Sequence, residues 1–117
     1  MTIKRPLKRP LAILGIPSFQ RKGDVMPKYV IERNVPGLGS LNPAELHAIS
    51  QKSNSVIQAL GPGVQWVQSF VTGDKMYCIY NASSEAIVRE HAQRGGFPAN
   101  SVARVSSIID PTTADAA

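Results

Sequence analysis

Cys78 and His91 carry the side chains in this chain that a borderline transition metal would seek, a sulfur and an imidazole nitrogen. Cys78 falls on a predicted strand. His91 falls one helical turn after Ile87 on a predicted helix, where it can point under a sheet toward the cysteine. Both donor types bind nickel and zinc, so the pair is a candidate partial metal site. Two ligands without local spacing are not a full coordination set. The plainer alternative is a hydrogen-bonded core histidine beside an inert buried thiol.

A second group is polar and aromatic. Glu32 interrupts a strand whose neighbours Tyr29 and Ile31 suit burial, so it should point to the opposite face, together with Gln68. With Trp66 and Tyr77 it makes a candidate pocket on that face, a polar spot among aromatics able to orient a ligand. The competing reading is a surface pairing of Glu32 with Arg33 or Arg104. Tyr77 and Tyr80 offer phenolic hydrogen bonds, although strand aromatics commonly just pack. His47, at the edge of a helical stripe, reads as a solvated residue. Pro36-Gly-Leu-Gly-Ser40 lacks the Gly-Lys-Ser/Thr ending of a phosphate loop and the dinucleotide spacing. No Ser-His-Asp, paired-carboxylate or His-Glu-x-x-His pattern is present, so no reaction is specified and a binding role is favoured over catalysis.

The elements that must position these residues are legible from their punctuation. Residues 28–34 alternate and favour a strand. Asn42-Pro-Ala-Glu45 starts a helix: Asn accepts a backbone hydrogen bond, Pro suits the first turn, and Glu sits three residues after the cap. Leu46, Ile49, Val56, Ile57 and Leu60 form its apolar stripe, and Gly61-Pro62 stops it. Two strands flank Gly73-Asp74, a two-residue turn with positive φ expected at the glycine. Counting outward from that turn puts Trp66, Gln68, Phe70, Tyr77 and Ile79 on one face. Val67, Ser69, Val71, Met76, Cys78 and Tyr80 fall on the other, which is assigned to the helices. A second helix opens at Ser83 or Ser84 and ends at Gly95-Gly96. A last strand is predicted over residues 101–109.

The order strand, helix, strand, strand, helix, strand predicts an α+β ferredoxin-like βαββαβ sandwich, with a four-stranded antiparallel sheet covered by two helices on one face. The open face would expose Trp66, Phe70 and Tyr77. Stacking two such sheets across a twofold axis, as in dimeric α/β barrels, would cover them, so the expected partner is a second copy of the chain.

Of the 117 residues, 26–110 are expected to form the domain, with a leader over 1–25 and a polar, flexible tail over 111–117. The formal charge of +5 resides in the leader, because residues 26–117 carry seven basic and seven acidic side chains. The domain is therefore neutral, which argues against nucleic acid as a partner. The leader's apolar run is short and bracketed by Pro10 and Pro17, unlike a secretory signal. Lys22-Gly23-Asp24 can be encoded by a purine-rich, ribosome-binding-like sequence just ahead of Met26, so Met26 is a candidate true start. Nothing is apolar over a bilayer's thickness, which argues against membrane insertion. The single cysteine excludes an intramolecular disulfide and fits a reducing cytoplasm.

Tyr29-Val-Ile-Glu-Arg33, Trp66-Val-Gln-Ser-Phe70, Tyr77-Cys-Ile-Tyr80, Ile87-Val-Arg-Glu-His-Ala92 and Gly96-Phe-Pro-Ala-Asn100, followed by residues 105–111, resemble a family of small bacterial proteins of unknown function. One branch of that family is nickel-binding. The resemblance covers nearly all of residues 26–113 and implies a ferredoxin-like fold, a dimeric assembly and non-catalytic metal binding or metal homeostasis. Nickel is the implied cofactor, with Cys78 and His91 matching the family pattern as metal-linked positions. Many relatives carry His where this chain has Gln68, a much poorer ligand for a borderline metal. Two other classes stay open: a small dimeric α/β-barrel enzyme, monooxygenase- or isomerase-like, with its pocket near Glu32 and Tyr77, and a plain dimerising interaction module.

Overall fold

The computed structural model describes residues 26–115; the leader and the candidate start at Met26 fall outside or at the edge of that range. Strand β1 (Lys28–Asn34), helix α1 (Pro43–Leu60), strands β2 (Val64–Val71) and β3 (Lys75–Ala82), helix α2 (Glu85–Gly95) and strand β4 (Ser101–Arg104) follow in that order. The sheet runs β2-β3-β1-β4, with all three pairings antiparallel. Tyr29, Ile31, Val64, Cys78, Tyr80, Ala82 and Val88 make the core between sheet and helices.

Local chemistry sets the helix ends. The Asn42 side chain accepts from the Glu45 amide at 2.8 Å while Glu45 accepts from the Asn42 amide at 3.0 Å, a reciprocal cap that satisfies two otherwise orphaned donors. Ser84 caps α2, and Gly96 ends it in the left-handed conformation at φ 70°. Helix α2 buries Val88, His91, Ala92 and Gly95, a stripe at helical spacing. In α1 only Ser53 is fully buried. Its predicted stripe residues are half-buried, because α1 stands off the sheet and leaves space beneath it.

The β2–β3 register differs from a simple count. Trp66 pairs with Tyr80 and Gln68 with Ile79, so Val67 is an extra residue with no partner, a β-bulge. Beyond the bulge the alternation inverts, and Trp66 lies on the helix side rather than on the open face. Val67 is left 48% exposed. The bulge places the indole against the core, where its Nε1 donates to Ser69 Oγ at 2.9 Å. Phe70, Tyr77, Gln68 and Ile79 do take the open face.

Strand β4 is also shorter than predicted. It stops at Arg104, and the last rung is the Val105 amide donating to the Lys28 carbonyl. Pro27, which stands opposite the next position, turns its carbonyl to the Ala82 amide of β3 and offers no hydrogen bond to a longer β4. Downstream, residues 111–115 form a short, exposed 3-10 turn.

Gly73-Asp74 forms the expected hairpin tip, closed by Thr72, whose amide and hydroxyl both donate to the Lys75 carbonyl. Gly73 does not take the expected positive φ; Gly37, Gly61 and Gly96 do. The tip's job is to receive the loop after β1. Val35 and Gly39 amides donate to the Asp74 and Gly73 carbonyls, both at 2.9 Å, and the Gly37 amide donates to the Asp74 carboxylate. A Cβ on Gly39 would stand 2.8 Å from the Thr72 carbonyl and 2.9 Å from Gly73 Cα, both backbone. Gly39→Ala should therefore lower unfolding stability by about 1–3 kcal/mol through overpacking, read in a urea melt. A change within about 0.5 kcal/mol would mean that the two loops separate freely.

Candidate functional site

Strand alternation puts Arg33 on the same face as Tyr29 and Ile31, under the helices, and it is 2% exposed. Its Nε donates to Cys78 Sγ at 3.3 Å, one terminal nitrogen to the Pro98 carbonyl at 2.6 Å and the other to the Tyr80 hydroxyl at 3.2 Å. The guanidinium also sits 5.5 Å from the centre of the Phe97 ring. Among the described residues no carboxylate pairs with it. Each hydrogen bond to a charged group contributes about 1.5–3 kcal/mol, and a desolvated cation–π contact roughly 2 kcal/mol. Against these stands a desolvation cost of several kcal/mol for a buried ion. The neighbours are held for this purpose: Cys78 and Tyr80 share one face of β3, and Gly95 leaves room for the Phe97 ring to fold back over the end of α2.

His91 lies behind this cluster with no exposed surface. Its Nε2 is 3.1 Å from Ser53 Oγ, its ring stacks on Phe97 and tilts against Tyr80, and its Nδ1 is buried without a partner among the described residues. Burial first, and then the positive charge of Arg33, hold the imidazole below its ordinary 6.5. Burial likewise pushes the Tyr80 hydroxyl up, against the opposing pull of Arg33. Of the two neutral tautomers, the one that donates Nε2–H to Ser53 is favoured, since a buried unpaired lone pair at Nδ1 is cheaper than a buried unpaired N–H.

Between this cluster and α1 lies a cavity of about 340 Å³, walled by Leu46 and Ile49 of α1, Trp66 and Val71 of β2, and Phe97. Arg33, Ser53, Ser69, Cys78 and Tyr80 supply its polar spots. A wider hollow of about 700 Å³ lies at the end of the sheet, between the start of β1 and residues 104–108. It has no buried charged group.

The predicted site residues thus divide between two faces. Glu32, Gln68 and Tyr77 share the open face, with Glu32 opposite Tyr77. Glu32 pairs there with Lys75 at 2.6 Å, not with Arg33 or Arg104. Trp66 is separated from them by the thickness of the sheet, through the bulge. Cys78 and His91 are both buried on the helix side, but each is already engaged, by Arg33 and Ser53. Arg33 itself, Ser53 and Phe97 are added by the structure. The signal for Arg33 was its place in the Tyr29, Ile31, Arg33 alternation.

A four-stranded antiparallel sheet with two helices on one face and a mixed cavity between the layers defines a small α+β domain of the ferredoxin-like type. The chain belongs to the SCO4226-like family of nickel responsive proteins, whose pattern matches residues 29–105. It is similar to the crystal structure of SCO4226 from Streptomyces coelicolor A3(2), at 18% identity and a TM-score of 0.60, over 70% of this chain and 99% of that one. That likeness is one of fold. No curated protein matches the chain.

The family's description raises the question of whether nickel fits here. Among the described residues no group of three or more His, Cys, Asp and Glu side chains is placed to hold a metal ion. The Cys78 sulfur already accepts from a guanidinium, and a unit charge at roughly 4 Å in an effective dielectric of about 20 opposes each charge of an incoming cation by about 4 kcal/mol. The Cys78–His91 pair therefore does not fit a nickel ion. Nickel chloride added to the folded protein should give no thiolate-to-nickel charge-transfer absorption; a band that vanishes in Cys78→Ser would contradict this.

The lowered His91 pKa has a stability consequence of definite sign. Below about pH 6.5 the unfolded chain takes up a proton that the folded protein resists, so the contribution of neutral His91 is complete above that pH and is lost as pH falls through it. Urea stability of the wild type should decline from about pH 7 to about pH 5.5 more steeply than that of His91→Gln. Equal slopes would show that the folded histidine protonates normally.

Proposed function

We propose that this protein is a non-catalytic, homodimeric binding protein acting in nickel homeostasis in the reducing cytoplasm, with two sheets facing each other in the manner of a dimeric α/β barrel. The observation that supports it is the uncovered sheet face. Phe70 is 54% exposed there. Beside it Tyr77, Ile79 and Val30 are half-buried in two adjoining cross-strand rows, Phe70–Tyr77–Glu32 and Gln68–Ile79–Val30. An apolar centre rimmed by Gln68 and the Glu32–Lys75 pair is self-complementary about a twofold axis, the usual geometry of a homodimer.

Nickel enters this reading from the family. Metal is taken by the assembled dimer, while Cys78 and His91 serve the interior of each subunit. A lone free cysteine, buried, fits the same compartment, and no described helix is long and apolar enough to cross a membrane. An enzyme site at Glu32 and Tyr77 is less well supported, because Lys75 already neutralises the carboxylate.

Light scattering after size exclusion, followed by calorimetric titration with nickel chloride, tests the reading. The wild type should run as a dimer and take up nickel; Phe70→Glu should run as a folded monomer and lose both. A wild type that is monomeric at tens of micromolar, or nickel uptake unchanged in the monomeric variant, would overturn it.

A further inference from the structure

The buried guanidinium of Arg33 has no counter-charge among the described residues, and it borders a cavity. We propose that the cavity between α1 and the sheet binds a small organic monoanion, a carboxylate with an apolar body, through Arg33. The proposal stands independently of nickel and of the dimer, since every residue it uses lies inside one subunit.

Three observations carry it. A guanidinium has five N–H donors, and three are engaged by Cys78, Pro98 and Tyr80, which leaves one N–H on each terminal nitrogen. One N–H on each of two terminal nitrogens supplies a donor for each of the two oxygens of a carboxylate. The remaining polar capacity of the cavity is also of donor type. Ser69 accepts from Trp66 Nε1 and keeps its own O–H to give. None of the described residues lining the cavity is acidic.

The walls supply the other half of the specificity. Leu46, Ile49, Val71, Met76, Trp66 and Phe97 are apolar or aromatic, and a space of about 340 Å³ lies in the range of sites for small organic ligands. Inorganic phosphate would leave those walls empty and would bring two charges to one buried cation. Half-burial of the α1 stripe follows from the same arrangement, because Leu46 and Ile49 face the cavity instead of the sheet. The Lys52 ammonium lies near Gly96 at the rim and adds positive potential where an anion would enter.

Trp66 is the only tryptophan of the chain and lines the cavity, so its fluorescence reports occupancy. The full chain is titrated with sodium phenylacetate, with phenylacetamide of the same shape and no charge, and with inorganic phosphate. Phenylacetate should change Trp66 emission saturably, and the amide and phosphate should each bind at least about tenfold more weakly. Arg33→Lys, which keeps the charge and loses the fork, should weaken phenylacetate by a similar factor. Should Arg33 variants fail to fold, Ile49→Phe decides, because it fills the cavity from α1 while leaving Arg33 in the chain and should abolish the response. Equal binding of carboxylate and amide, an equal response to phosphate, an unaltered response in Ile49→Phe, or no saturable response of the folded wild type up to about 10 mM phenylacetate, would each overturn the proposal.

Discussion

The arrangement under the helices depends on one buried positive charge. Arg33 reaches from β1 to Cys78 and Tyr80 on β3 and to the Pro98 carbonyl beyond α2, and it lies against Phe97. One side chain thereby ties two strands to the chain leaving the second helix. Its charge is spread over a sulfur, a carbonyl, a phenol and a ring, none of which neutralises it. That charge adds to burial in keeping His91 neutral, makes Cys78 a poor seat for a cation, and leaves the adjoining cavity rich in donors.

The two faces of the sheet consequently differ in character. The helix side is a polar cluster set into an apolar core and opening on a cavity, the setting in which a few oriented groups give selectivity for a small ligand. The open side is an apolar band with an ion pair at one edge, the setting for association. The bulge at Val67 separates them: by turning Trp66 inward it removes the largest ring from the open face and adds it to the cavity wall.

Much of this was legible in the sequence, and for physical reasons. Asn42, Pro43 and Glu45 state a helix start through their own hydrogen-bonding and φ constraints, and Gly95-Gly96 state a helix end, so the ferredoxin-like element order follows from local chemistry. The hairpin tip at Gly73-Asp74 was placed correctly, but the glycine that matters sterically is Gly39, whose constraint comes from a loop distant in sequence. Nothing around Val67 marks a bulge, since no glycine or proline interrupts that strand; only the gain from burying Trp66 does, and that gain is tertiary. For the site, Cys78 and His91 were found because their donor atoms are distinctive. Arg33 stood in the same alternation as Tyr29 and Ile31, yet a charge on a buried face invites assignment to the surface, and its three partners lie 45 to 65 residues away.

The central claim is that the Arg33 guanidinium is sequestered from water and held by Cys78 and Tyr80. The most direct measurement is the arginine Nε–H signal in a proton–nitrogen NMR spectrum of the folded protein. A slowly exchanging Arg33 resonance that shifts in Cys78→Ala and exchanges faster in Tyr80→Phe is the expected result. An Arg33 resonance that exchanges as fast as those of exposed arginines, and is indifferent to both substitutions, would contradict the account.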